Sequence, residues 1–319
     1  MKLEYIIFIT PNKLNDLSCQ LMHNLDMMEI HSLWNPKEED VHSIPSETAL
    51  VVSDTELGTQ FAAHHHFPYI LKWDETNPIS PVPKPVCYFD QIETLTCEYL
   101  SNQWKRAHHL PITVTATKRL ILKELTLEDF ETLYTIRDTE TMRSSLPAQD
   151  TLENELEKHK HYITYQYEFF DYGLWGVYLK DGTLIGQAGI QNQEYHNQTI
   201  LELSYLIAPE YQKKGYATEA VLAIYDYVVS NLKQERLLAI IAKNNLPSIK
   251  TAMNLGMKRC EEVEHLGFSC NYYIIDDIRD FVVRYHSEQK RVNAAKSAFR
   301  SAMKHPVQEV YSKYKKKFK

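Results

Sequence analysis

Cysteine is scarce and unpatterned in this 319-residue chain: five thiols, Cys19, Cys87, Cys97, Cys260 and Cys270, with no C-x-x-C among them. An odd count without paired spacing excludes a disulfide framework and a zinc knuckle, so the thiols read as free and buried. Long apolar runs are missing as well. None approaches the ~18 residues that a membrane span requires. The run Tyr5–Ile9 is too short for the core of a signal peptide, and no small-residue cleavage site follows it. A cytoplasmic location is the expectation. Finally, no glycine-rich loop closes any candidate strand of the first third, which removes that kind of phosphate cradle from the N-terminal half.

What is present is the composition of a folded chain, 44% hydrophobic and 24% charged, at a length that suggests two domains. Charge is unevenly spread. Residues 279–319 hold 12 Lys and Arg against 3 Asp and Glu, a net of +9; the whole chain is at −7, which leaves −16 for the rest. A basic tail on an acidic body suits docking on that body, on a second subunit or on an anionic partner. Within the tail, Val292, Ala295, Phe299 and Met303 form one helical stripe. Pro306 interrupts, and Val307, Val310, Tyr314 and Phe318 form a second. An amphipathic helical hairpin is expected, packed on the body or joining two copies. RNA or ribosome contact is the competing reading.

Residues 1–112 alternate short apolar strands with helical spacings. The strands are expected at Tyr5–Thr10, Glu29–Leu33, Ala49–Ser53, Tyr69–Trp73 and Val86–Phe89. Leu14, Leu17, Leu21 and Leu25 recur at helical intervals, as do Leu95 and Leu100. This predicts a small, mostly parallel α/β domain. The four prolines of 77–85 mark a loop. His64, His65 and His66 invite a metal reading, but consecutive side chains diverge on helix and strand alike, so no metal is expected. The segment VVSDTELGTQFAAHHHFPYIL resembles the middle of a haloacid-dehalogenase-like domain. The first strand runs into FITPNK without the D-x-D of such phosphatases, so the resemblance implies a non-catalytic domain. Asp54 then reads as a catalytic remnant or, more simply, a helix N-cap.

A new domain is expected over 113–278, with the tail over 279–319. Leu120 and Leu122 share one face of a strand, and Arg119, Ile121 and Lys123 the other. Thr126 and Asp129 have capping-box spacing before a helix carrying Phe130, Leu133 and Ile136. A second helix is expected near Leu152–Tyr165. Strands follow at Leu174–Leu179 and Leu184–Gln191 around the turn Asp181-Gly182, and then at Ile200–Ile207. Next comes IAPEYQKKGYATEAVLAIYDYVV. A strand ends, a loop carries Gln212, Lys213, Lys214 and Gly215, and a helix opens near Ala217. Unpaired first-turn amides, a positive dipole end, a glycine that admits close approach and two lysines make an anion site suited to a pyrophosphate.

This stretch resembles the acyl-CoA-binding loop of the GNAT acetyltransferases, Gln/Arg-x-x-Gly-x-Gly/Ala, in the branch related to ribosomal-protein N-terminal acetyltransferases. KNNLPSIKTAMNLGM, after the strand Arg236–Ala242, is similar to that family's Asn-x-x-Ser…Leu-Gly-Phe segment, with Met257 in place of phenylalanine. The last element is a strand pair around Glu262–Ile275. The resemblance implies a mixed-sheet GNAT fold and acetyl transfer from acetyl-CoA to an amine, either a protein N-terminus or a small molecule. It implies backbone contacts to the pantetheine arm from Tyr205, Leu206 and Ile207. It places the pyrophosphate on Gln212, Lys213, Lys214, Gly215, Tyr216, Ala217 and Thr218, and assigns Asn245 to the cofactor side. Glu202 is the first candidate base, a structural salt bridge being its other reading; Glu264 is the second, or a solvent-facing strand residue. Ser248 either serves the leaving thiolate or caps the helix that follows. Trp175 and Tyr172 either line the amine pocket or belong to the core. From a different class, the chain could be a CoA-binding sensor without efficient turnover, or a scaffold assembled through its tail.

Overall fold

The computed structural model describes residues 1–11, 16–76, 79, 81–144, 146–292 and 294–296. Contacts divide the chain into two compact units, Met1–Ile112 and Thr113–Lys319. Among the described residues, no helix is long and apolar enough to cross a membrane.

The first unit runs β1 (Tyr5–Ile9), α1 (Asp16–Met27), β2 (His31–Trp34), α2 (Glu38–Val41), β3 (Ala49–Ser53), α3 (Glu56–His64), β4 (Tyr69–Lys72), β5 (Tyr88–Phe89) and α4 (Cys97–Ala107). All five strands are parallel, in the order 2-1-3-4-5, which is a doubly wound arrangement. Such a sheet is covered on both faces, and its central strands are mostly apolar; β3 is buried at every position, Ser53 at its end included. Alternate residues feed opposite layers. Ile6, Phe8, Leu50 and Val52 pack with Leu21 and Leu25 of α1 and with Leu100 and Trp104 of α4. Ile7, Ile9, Val51 and Leu71 pack with Val41 of α2 and Ala62 of α3. Leu14 falls outside the described residues, as does the side chain of Leu17. The expected strand at Val86–Phe89 shortens to two residues. Asp54 is not the N-cap of α3: Thr55 takes that place and accepts from the Gly58 amide at 3.1 Å. Asp54 instead accepts the Thr10 hydroxyl at 2.7 Å.

The second unit carries an eight-stranded mixed sheet. Its elements are β6 (Thr113–Ala116), β7 (Leu120–Lys123), α5 (Phe130–Arg137), α6 (Glu140–Arg143), α7 (Leu152–His161), α8 (Tyr167–Phe170), β8 (Leu174–Leu179), β9 (Leu184–Tyr195), β10 (Gln198–Ile207), α9 (Tyr216–Ser230), β11 (Leu237–Ala242), α10 (Leu246–Asn254), β12 (Lys258–His265) and β13 (Phe268–Ile275). Strand order is 12-13-11-10-9-8-7-6, and β10–β11 is its parallel pair. The helix expected at Leu152–Tyr165 begins as an α-helix and widens into a π-helical turn over Tyr162–Gln166. The Thr126–Asp129 box forms, with the Thr126 amide donating to Asp129 Oδ2 at 2.8 Å. Residues 278–292 are helical, where the tail begins. Phe299 and Met303, and the second stripe from Val307 to Phe318, lie outside the described residues.

The core is built on the sheet face that meets α9. Leu203 and Ile207 of β10, Ile190 of β9 and Trp175 of β8 pack against Ala220, Val221 and Ile224. Trp175 is fully buried there and lines no cleft. Tyr167 ties the helical layer to the sheet. Its hydroxyl donates to the Leu174 carbonyl at 2.6 Å and accepts from the Leu125 amide at 3.2 Å. Tyr167→Phe leaves a buried amide and a buried carbonyl short of a partner, an expected cost of about 1–3 kcal/mol. A thermal melt should register it as a fall of about 2–4 °C per kcal/mol.

Candidate functional site

The site grows from one irregularity in the sheet. β10 pairs with β9 at ten successive positions, from Gln198↔Tyr195 to Ile207↔Gly186. β11 pairs with β13 at six, from Leu237↔Ile275 to Ala242↔Cys270. Between them, β10 and β11 share a single register pair, Glu202↔Leu238. Beyond that pair each strand stays with its outer neighbour, so the two part toward their C-terminal ends. Gly186 helps hold β10 to its side: a Cβ there would lie 2.2 Å from the Leu206 carbonyl oxygen, so only glycine lets the two backbones come this close.

Because β10 and β11 are parallel, the helices that follow them start at the same edge. α9 opens at Gly215 and α10 at Asn245, so two positive dipole ends with unpaired amides border the gap. Gly215 sits at φ 81°, a left-handed conformation that glycine adopts freely, and the nearest atom to a Cβ at this position is Arg119 Nη2 at 3.5 Å. The space in front of the first turn of α9 is therefore open. Lys213 is left-handed too, at φ 58°, and both Lys213 and Lys214 are exposed at the rim.

Arg119, expected in a strand from the sequence but lying immediately before β7, holds this loop. Its Nε donates to Glu219 Oε2 at 2.6 Å and its Nη1 to the Lys214 carbonyl at 2.9 Å, while its guanidinium lies 4.5 Å from the centre of the Tyr216 ring. Glu219 also accepts from the Thr117 hydroxyl and the Arg119 amide, at 2.6 and 2.9 Å. Burial by itself would raise the proton affinity of Glu219, but these donors outweigh it and hold the carboxyl below its ordinary range. The contact spans 100 residues of sequence, and its one local sign is the acidic residue in the first turn of α9, where a negative charge is favourable.

Glu202 sits where β10 and β11 separate. It is 6% exposed, and the Gln191 side-chain amide donates to its Oε2 at 3.1 Å. It has no ion pair among the described residues. Burial raises its pKa, opposed by that hydrogen bond and by the charge of His265. Registers set its neighbours. Glu202 shares a face with its partners Gln191 and Leu238, and alternation adds Ser204 and Gly189. On β13, Tyr272 falls on this same face, and on β12 so does His265. His265 is a residue the sequence reading missed. Glu264, the other candidate base, pairs with Ser269 on the alternate register, is exposed, and points to the opposite face.

Asn245, not Ser248, caps α10: its Oδ1 accepts the Ser248 amide at 3.2 Å. The Ser248 carbonyl accepts from the Tyr205 hydroxyl at 3.1 Å, a bond that spans from β10 to α10 across the gap. Burial pushes the Tyr205 phenol up to about 12, so it stays protonated as the donor of that bridge. The Ile207 carbonyl accepts from the Gln212 side chain at 2.8 Å. Tyr172 lies apart from this cluster, its hydroxyl donating to Asn192 at 2.8 Å beside a cavity of about 390 Å³ that also holds Arg236.

Arg119→Lys keeps the charge but loses the fork that reaches both Glu219 and Lys214. Anion affinity at the loop should fall about tenfold, the equivalent of losing one charge-assisted hydrogen bond. Titration calorimetry with coenzyme A measures this, and circular dichroism should show unchanged helix content.

Comparison with known proteins places this geometry. Residues 119–258 match the family model described as an acetyltransferase (GNAT) domain. The uncharacterised N-acetyltransferase YnaD of Bacillus subtilis is 27% identical over 148 residues, 45% of this chain and 81% of that protein. The Bacillus subtilis protein YkkB is 36% identical over 78 residues, 24% of this chain and 45% of its own length. A crystal structure of an acetyltransferase from Agrobacterium tumefaciens covers 50% of this chain and 92% of its own, at 22% identity and a TM-score of 0.44. Residues 119–258 thus match an acetyltransferase (GNAT) domain, and this match together with the N-acetyltransferase relative supports the activity of an acyl-CoA-dependent acetyltransferase.

Proposed function

We propose that this protein moves an acetyl group from acetyl-CoA to a primary amine, with its chemistry in the gap between β10 and β11. The observation that carries the reading is the single shared pair Glu202↔Leu238 beside a helix that opens at a left-handed glycine. The gap suits the pantetheine arm, with the backbone of Tyr205 and Leu206 along one side. Ile207 contributes less, because its carbonyl is already taken by Gln212. The pyrophosphate suits the amides from Gly215 to Thr218, with Lys213 and Lys214 at the rim and the Asn245 side-chain amide on the opposite lip. When bound, acetyl-CoA supplies an activated thioester carbonyl. The surroundings of Gly215 suit the pyrophosphate, since among neighbouring side chains only the Arg119 guanidinium tip comes within 4 Å of a Cβ placed there.

Glu202 is the candidate base. An ammonium must lose a proton before it attacks, and a buried carboxylate with raised proton affinity is better matched to that task than an exposed one. Gln191 orients it, and His265 and Tyr272 share its face. The bare sensor is less favoured: a module that only binds has no need for a charge taken out of water at this position. Ser248, in the first turn of α10 with the capping role taken by Asn245, is the candidate donor to the leaving sulfur. A protein N-terminus and a small-molecule amine are both acceptors this chemistry admits. Residues 1–112 suit a non-catalytic, haloacid-dehalogenase-like role, because the residue after β1 is Thr10, which donates to Asp54.

Two measurements test this. Gly215→Glu puts a carboxylate into the pyrophosphate position. Calorimetry should show acetyl-CoA binding in the native protein and none in the folded variant. A native protein that binds no acetyl-CoA would end the proposal. For Glu202, the active form is the ionised one and burial raises its pKa. Activity should therefore fall as pH drops through a value above the usual carboxylate range near ~4.3. Glu202→Gln should remove that limb from the kcat/KM profile and lower the rate by about a hundred- to ten-thousandfold, while acetyl-CoA affinity stays unchanged.

A further inference from the structure

The histidine run of the first unit behaves differently from its sequence. His64 is the last residue of α3 and His65 is its C-cap, so the chain is leaving helical geometry where the two rings diverge. They come to lie edge to face with centroids 5.0 Å apart. Glu38, the first residue of α2, reaches the same spot. A carboxylate oxygen of Glu38 and one nitrogen from each of His64 and His65 all lie within 4.8 Å of one another.

His65 is the fixed member. Its ring is stacked with Phe67 at 5.4 Å and tilted against Phe61 at 4.6 Å, and its side chain is 14% exposed. Its Nε2 is sealed from solvent and is 2.8 Å from Glu38 Oε2, yet no hydrogen-bond geometry satisfies it. The contact brings a nitrogen and a carboxylate oxygen together, two atoms that can also serve one shared cation. Donors sharing one tetrahedral zinc are about 3.3 Å apart, from bond lengths of ~2.0–2.1 Å. The His65–Glu38 separation of 2.8 Å is shorter than that value, and the exposed side chains of His64 and Glu38 can open to it. The C-terminal end of α3 adds the negative end of a helix dipole.

We propose that Glu38, His64 and His65 form a binding site for a divalent metal ion of the zinc class. Two imidazoles and one carboxylate are a ligand set that zinc accepts, with water completing the tetrahedron. The ion would join α2 to the end of α3 and stabilise the first unit by mass action. The third histidine does not belong to the set. His66 turns away at φ 57° and serves as an internal control.

The test is zinc titration of the full chain by calorimetry, with a thermal melt alongside. Glu38→Gln and His64→Ala change exposed side chains and leave the His65 packing intact. Each should weaken the tightest zinc site by about tenfold or more and remove the zinc-dependent rise in melting temperature. His66→Ala should stay within about threefold of the native protein. The proposal is overturned if the native chain shows no saturable zinc binding, or if Glu38→Gln binds as tightly as native. It is equally overturned if His66→Ala weakens binding as much as His64→Ala, which would mean that the histidine run chelates as a flexible tag.

Discussion

The second unit depends on how β10 divides its backbone. The strand holds β9 along its whole length and touches β11 at one residue pair, so two parallel strands that begin as neighbours end apart. A parallel pair that stayed together would leave a closed sheet edge with no room for an extended ligand. The divergence creates a slot, and the parallel sense puts two helix starts at its open end. Polar backbone and positive dipole thus come from topology, without any charged side chain having to be buried.

Such a loop offers backbone amides, which are weak donors unless they are held in place. Rigidity is supplied from outside the loop. Arg119, immediately before β7, grips Glu219 in the helix and the Lys214 carbonyl in the loop, and it stacks on Tyr216 between them. The three contacts converge from one planar group, so the loop's shape is set before any ligand arrives. That is the condition under which backbone amides contribute most. On the opposite lip, Tyr205 bridges from β10 to the first turn of α10 and keeps the slot from widening freely.

The element order of the second unit was legible because its periodicities are strong and local. The Leu174–Leu179 strand, the Asp181-Gly182 turn and the Thr126–Asp129 box depend on neighbours in sequence. The loop before α9 was legible for the same reason: its glycine, its lysines and its helix follow one another directly. Harder to read were assignments that hang on which of two adjacent polar residues a backbone turn selects. Thr55 rather than Asp54, and Asn245 rather than Ser248, became the caps because each holds the extended or intermediate backbone that precedes the first helical residue.

By itself the sequence determined the two-part α/β organisation and singled out the Gly215 loop, which follow from spacing along the chain, while Glu202 was singled out by the family resemblance. Tertiary structure decided the rest. Strand register put Glu264 on the opposite face and His265 on the same face as Glu202, a matter of odd and even positions across three strands that no single segment encodes. A separation of 100 residues hid the grip of Arg119 on Glu219. The break at the end of α3 brought His64 and His65 toward Glu38, where helical spacing predicts divergence. In each case the deciding contact is long in sequence and short in space, and its energy depends on burial and geometry that appear only once the chain has folded.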